Sequence, residues 1–268
     1  MTNGYSPTTG LSGQSRRGVL FGVTAAASAS FLKAAAAVAP AVDGGRKFMA
    51  DGRVRGFAGN TLICHLPQQG ADSAAFNALL DIYRNASDYP FLANATLLPP
   101  SSYHMTIFGG ANDQGRGKPG QWPQGVPSDL PLEACHRLMA ERLKGFRSGL
   151  NLPIRMKVDL EAPAPEGGAI TLPLLPVDAA QSQQLRDLRR RLSEATGIRI
   201  SDPDTYGFHI SLAYWIKPLT PEQAKAFDRA HRQWRTTLSK AAPVIALGAP
   251  EFCVFKDMFA FERQFYLE

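Results

Sequence analysis

The chain has 268 residues, 44% of them hydrophobic, with 29 Lys and Arg against 23 Asp and Glu, a formal charge of +6. That length suits one large domain or two small lobes, and the charge falls short of the dense basic stripe needed to wrap a long nucleic acid. Cys64, Cys135 and Cys253 are widely spaced without a C-x-x-C pair, which sets aside disulfide scaffolds and zinc ribbons and leaves them as buried, small apolar residues.

At the N-terminus, Ser15-Arg16-Arg17-Gly18-Val19-Leu20-Phe21 reads as a twin-arginine export signal. The mildly apolar run 18–32 is too short and too polar to span a bilayer, Lys33 follows it, and Ala39-Pro40-Ala41 offers a small-x-small cleavage site. The expectation is a signal peptide over 1–41, export to the periplasm, and no stable membrane insertion after cleavage. Residues 42–268 would then form a single bilobal domain. Removing Arg16, Arg17 and Lys33, with no acid among them, leaves 26 bases against 23 acids, or +3.

Downstream, 56–66 predicts a strand ended by Pro67, and 72–86 repeats Phe76, Leu79, Leu80 and Tyr83 at a helical period. After the Pro99-Pro100 break comes the first of two related strings, Tyr103-His104-Met105-Thr106-Ile107-Phe108. The glycine-rich stretch 109–120 lacks the Walker spacing, since position 112 is Asn and position 119 is Pro, and reads as a rim loop from which Arg116 or Lys118 could close over an anion. A helix over 132–146 and a strand over 153–160 follow. A strand over 169–175, ended by Pro176, precedes a helix over 178–196 with Gly197 as its C-cap. The second string, Phe208-His209-Ile210-Ser211-Leu212-Ala213, comes after Asp202-Pro203-Asp204. A helix from Pro221 to about Leu238 carries a Thr220/Gln223 capping box, and strands are expected over 244–247, 251–255 and 261–266. Strands and helices mix without strict alternation, which favours α+β with antiparallel sheets.

In each string a histidine is followed two places later by a hydroxyl residue, and alternation puts both on one strand face while Met105, Ile107, Ile210 and Leu212 face the other way. Strand, helix and His-x-[Thr/Ser] strand recur in the same order, with Pro67 and Pro176 109 apart and His104 and His209 105 apart, as one unit used twice. Imidazole titrates near pH 6.5, so two facing rings can serve as base and acid near neutrality, each role worth roughly 10²- to 10⁴-fold in rate. On a phosphodiester the neutral ring deprotonates the nucleophile and the charged ring protonates the leaving oxygen. Thr106 and Ser211 could hold the non-bridging oxygens, and this chemistry requires no metal or cofactor.

These motifs resemble those of the 2H phosphoesterase superfamily, most closely a bacterial branch presumed by motif to be phosphodiesterases. The resemblance covers roughly residue 56 to the C-terminus. It implies a bilobal, duplicated α+β fold in which two mainly antiparallel sheets face a central cleft with helices outside. It also implies catalytic His104 and His209, phosphate-binding Thr106 and Ser211, and a small nucleotide, cyclic phosphate or 2′,5′-phosphodiester as substrate. Expected export sets RNA repair aside. Tyr103 and Tyr206 could stack on a base or bond a phosphate, or be ordinary strand aromatics. By parity Tyr214 falls on the face opposite His209 and counts as core. His65, His136, His231 and the arginine-rich run 186–191 are expected to be structural, the run as a solvated helix face. A non-catalytic exported protein that binds an anionic or nucleotide ligand in the same cleft is the alternative, and a purely structural histidine pair is a third reading.

Overall fold

The computed structural model describes residues 45–199 and 205–268. The expected signal segment, 1–41, and Asp202-Pro203-Asp204 lie outside the described residues. Nine strands and four α-helices occur among the described residues: β1 (Gly59–His65), α1 (Ala74–Arg84), β2 (Ala95–Leu97), β3 (His104–Asn112), α2 (Leu132–Leu143), β4 (Ile154–Val158), β5 (Ala169–Pro176), α3 (Ala179–Thr196), β6 (Phe208–Trp215), α4 (Pro221–Ala241), β7 (Ile245–Leu247), β8 (Glu251–Phe255) and β9 (Glu262–Tyr266). No described helix is long and apolar enough to cross a membrane.

The strands pair antiparallel throughout, in the order β7-β4-β5-β6-β3-β1-β8-β9, with β2 added to β6. The α+β expectation therefore holds, but the two expected sheets are one: β3 and β6 join them where Met105 pairs with Ile210. Outward from this junction β5 and β1 occupy matching places, then β4 and β8, then β7 and β9. β4 joins β5, the next strand in sequence, whereas β8 joins β1 from the opposite end of the chain.

Local signals account for the helix ends. Asp178 caps α3 by accepting from the Gln181 amide, Gly197 closes it at φ 72°, and the Thr220/Gln223 box forms at the start of α4. Alternation buries Met105, Ile107, Leu172 and Ile210 on the helix-covered side of the sheet. The cysteines are free and buried, as expected.

Both histidine strands carry a β-bulge at the same place. Opposite β1 the register steps from Thr106 to Phe108, leaving Ile107 extra, and opposite β5 it steps from Ser211 to Ala213, leaving Leu212 extra. A bulge reverses side-chain parity beyond it. The Ile107 carbonyl is met by the Arg189 guanidinium from α3, and the Leu212 carbonyl accepts from the Leu98 amide at 2.8 Å.

Candidate active site

Because Met105 and Ile210 are antiparallel partners, the flanking register places His104 beside Ser211 and Thr106 beside His209. Met105 and Ile210 point into the core with no exposed surface, so the four polar side chains share the other face. All four line one cavity of about 240 Å³.

The two imidazoles are held alike. His104 Nδ1 donates to the Ser102 carbonyl at 2.7 Å and His209 Nδ1 donates to the Gly207 carbonyl at 2.9 Å, in each case two residues back. A carbonyl can only accept, so Nδ1 carries the proton and Nε2 of the neutral ring is the proton acceptor. Burial pushes the His104 pKa down to about 4; the Ser102 carbonyl opposes this, His65 and His209 reinforce it, and Glu251 opposes it. Burial also lowers His209, the Gly207 carbonyl opposing and Lys47 reinforcing. Both shifts favour the neutral imidazole in the free protein.

Three further side chains shape the cavity. Lys47 reaches it from a short hairpin closed by the Phe48–Val54 bridge, its Nζ donating to the Tyr214 hydroxyl at 3.0 Å and lying 4.6 Å from that ring's centre. Tyr214 thus lines the cavity as well as being buried, contrary to the parity expectation, because the bulge at Leu212 returns it to the His209 face. Asn60 is fixed from both ends: its Oδ1 accepts from the Ala111 amide at 3.1 Å, and its Nδ2 donates to His136 Nδ1 at 2.9 Å. His136 is structural as expected, and His231 donates Nε2 to the Thr171 carbonyl inside the core.

Behind His104 stands a pair that strand patterning did not signal. His65 is its cross-strand partner, with ring centres 6.1 Å apart, and His65 Nδ1 meets Glu251 at 3.0 Å. Cys253 lies close enough for His65, Glu251 and Cys253 to offer metal-ligand atoms within 4.8 Å of one another. Arg263 stands 3.6 Å from the same carboxylate, and the thiol is pushed up to about 12, chiefly by burial and then by Glu251. This donor set fits a buried ion-pair cluster better than a metal centre.

The remaining expected site residues part ways. Tyr103 does not reach the cavity: it is 3% exposed in the core, because it precedes His104 and so takes the Met105 face. The stretch from Gly109 to Asn112 is strand, not loop, because it continues β3 along β1. Arg116 does not close over the site; it ties the following loop, bonding Asp113 and the Ser128 and Leu130 carbonyls and lying over Trp122. Lys118 is exposed and lines a separate hollow with Trp122 and Arg199. Tyr206 lies near the site, its ring centre 6.4 Å from that of His209. Burial raises its phenol pKa, with Arg189 and the Thr106 hydroxyl opposing. The arginine-rich run is not wholly solvated either: Arg189 is 3% exposed and holds the Ile107 carbonyl, while Arg191 holds the Arg147 and Ser148 carbonyls.

Residues 47–166 match a family model named 2H-phosphodiest and described as a domain of unknown function (DUF1868). The match supports the 2H phosphoesterase superfamily and a hydrolase of phosphoester bonds. It begins at Lys47, in the segment that supplies the cavity's ammonium. Among solved structures, the chain is similar to the conserved protein of unknown function ATU0111 from Agrobacterium tumefaciens str. C58, at 29% identity and a TM-score of 0.72. That similarity covers 84% of this chain and 91% of the other. Comparison with curated proteins gives no match.

Proposed function

We propose that the chain is a phosphodiesterase of the 2H type that uses His104 and His209 as general acid and base on a small nucleotide, a cyclic phosphate or a 2′,5′-phosphodiester, without a metal. The observation that carries the reading is the pair of His-x-hydroxyl segments crossing at Met105–Ile210, with both imidazoles fixed through Nδ1 and all four polar side chains on one cavity. The matching order of strands on either side of that crossing supports a duplicated ancestry of the two halves.

In this mechanism the neutral Nε2 of one ring takes a proton from water or a ribose hydroxyl as it attacks phosphorus. The other ring gives its proton to the leaving oxygen. Burial favours the neutral form of both rings, and the acid acquires its proton as the phosphodiester anion binds and favours an imidazolium beside it. Thr106 and Ser211 donate to the non-bridging oxygens as their charge grows, and Lys47 adds a positive field without entering the proton transfers. Near-symmetry leaves either ring able to serve in either role until a substrate sets the polarity.

We assign residues 1–41 to export through the twin-arginine route and 42–268 to the mature protein, which periplasmic fractionation with and without Arg16→Lys and Arg17→Lys tests. The decisive experiment is turnover of the mature protein on 2′,3′-cyclic, 3′,5′-cyclic and 2′,5′-linked nucleotides in EDTA. His104→Ala and His209→Ala are assayed in parallel. EDTA-resistant cleavage lost in both variants is the expected result. Saturable binding without product would instead favour an exported binding protein.

A further inference from the structure

The cavity opens past Gly109, Gly110 and Asn112 into a larger groove of about 800 Å³, and these three residues line both. The far part of the groove holds Arg46, Arg189 and Arg199 with Tyr206 and Gln121, and no carboxylate among the described lining residues. Arg189 and Arg199 set two guanidiniums on a concave surface continuous with the histidine cavity, which suits an anion.

Arg189 gives that match a built element. It is 3% exposed, its guanidinium lies 3.7 Å from the centre of the Tyr206 ring, and its buried Nε has no hydrogen-bond partner among the described residues. Buried donors are normally satisfied, and Arg189, the residue that carries this unsatisfied one, lines the groove that an anion would enter. Burial lowers the Arg189 pKa, and Tyr206 opposes that shift.

The passage between the two hollows is formed by the absence of a side chain. Gly109 and Tyr214 each lie five residues beyond a motif histidine and just past the equivalent bulge, so they hold corresponding places in the two halves. Tyr214 with Lys47 walls the cavity on one side; Gly109 leaves it open on the other. A Cβ at Gly109 would meet nothing within 4 Å, so local packing does not demand glycine there.

We propose that this groove is a second phosphate subsite: the substrate passes over Gly109 and sets a further phosphate, on the same molecule as the scissile diester, against Arg189 and Arg199. The inference rests on the reading of the two histidines as the cleavage site. It narrows the substrate from any small phosphodiester to one bearing a second phosphate, such as a 5′-phosphorylated 2′,5′-linked dinucleotide or a phosphorylated cyclic nucleotide.

The test compares calorimetric affinities of adenosine 2′-monophosphate and adenosine 2′,5′-bisphosphate for the mature protein, for Arg199→Gln and for Gly109→Phe. The bisphosphate is expected to bind about tenfold or more tightly, with the ratio falling to near one in both variants. Equal affinities in the wild type, no binding of the bisphosphate, or a preference that survives both substitutions would overturn the subsite. If Gly109→Phe fails to fold, Arg199→Gln decides. Turnover of 2′,3′-cyclic AMP, measured on the same wild-type preparation, separates the two readings. Turnover without a bisphosphate preference removes the subsite alone, whereas a preference without turnover on any diester counts against the phosphodiesterase and leaves a two-phosphate binding groove.

Discussion

Lys47 Nζ donates to the Tyr214 hydroxyl at 3.0 Å, linking the first described hairpin to the strand of the second histidine across 167 residues of sequence. The bond places an ammonium beside His209, whose pKa that charge helps to lower. It also turns a residue outside both histidine motifs into part of the cavity wall.

Replacing Lys47 with Met removes this field. The His209 pKa then rises, because a nearby cation no longer disfavours the imidazolium, and the limb of the kcat/KM profile that belongs to His209 moves to higher pH. Substrate binding weakens at the same time, with KM rising about tenfold from loss of a charged partner for the phosphate. An unchanged pH profile and KM in steady-state kinetics would remove Lys47 from the site.

His104 makes stability depend on pH. Its folded pKa, near 4, lies below the ordinary value of 6.5, so between these values the unfolded chain binds the proton more readily. The contribution is fully present above about pH 6.5 and is lost as pH falls toward 4. Thermal unfolding at pH 7 and pH 5 is expected to differ by on the order of 1–2 kcal/mol through this group. His104→Gln should flatten that part of the curve; an identical slope in the variant would refute the assignment.

Thr106→Val and Ser211→Ala each remove one donor to the phosphoryl oxygens. Because that charge peaks in the transition state, kcat is expected to fall about 10²-fold while KM changes little. Thr106→Ser retains the hydroxyl and should recover most of the rate. A rise in KM with kcat intact would mean that these hydroxyls bind the ground state only.

Of two adjacent glycines, only one should be sensitive to alanine. At Gly110 a Cβ would stand 2.1 Å from Asn60 Oδ1 and 2.4 Å from its backbone oxygen, so Asn60 or the strand must move. A loss of about 1–3 kcal/mol is expected from this overpacking. Gly109→Ala meets open space and should leave the melting temperature within about a degree or two, since surface changes of this kind stay near ±0.5 kcal/mol. Differential scanning calorimetry of the two variants distinguishes them, and equal melting temperatures would contradict the close approach at Gly110.

Much of the local structure was legible because its signals are local. The capping box at Thr220, the Gly197 terminus, and the alternation that pairs His104 with Thr106 and His209 with Ser211 each depend on residues within a turn or a strand. The same alternation, applied at Tyr103, already places that side chain on the Met105 face; the reading as a base-stacking residue set that parity aside. Tyr214 misled for a different reason. A bulge depends on the partner strand's register, so nothing within β6 alone announces that parity reverses after Ser211.

The sequence by itself determined the α+β class, the two histidine-hydroxyl pairs and the burial of the cysteines, since residue type and short-range spacing dictate these. Only the tertiary structure decided that the halves join in one sheet through Met105 and Ile210 and that Lys47 and Tyr214 complete the cavity. It likewise decided that Arg116 ties a loop and that Arg189 turns inward to a groove. Those outcomes depend on which strands become neighbours and where their registers slip, and contacts between residues scores of positions apart leave no periodic trace along the chain.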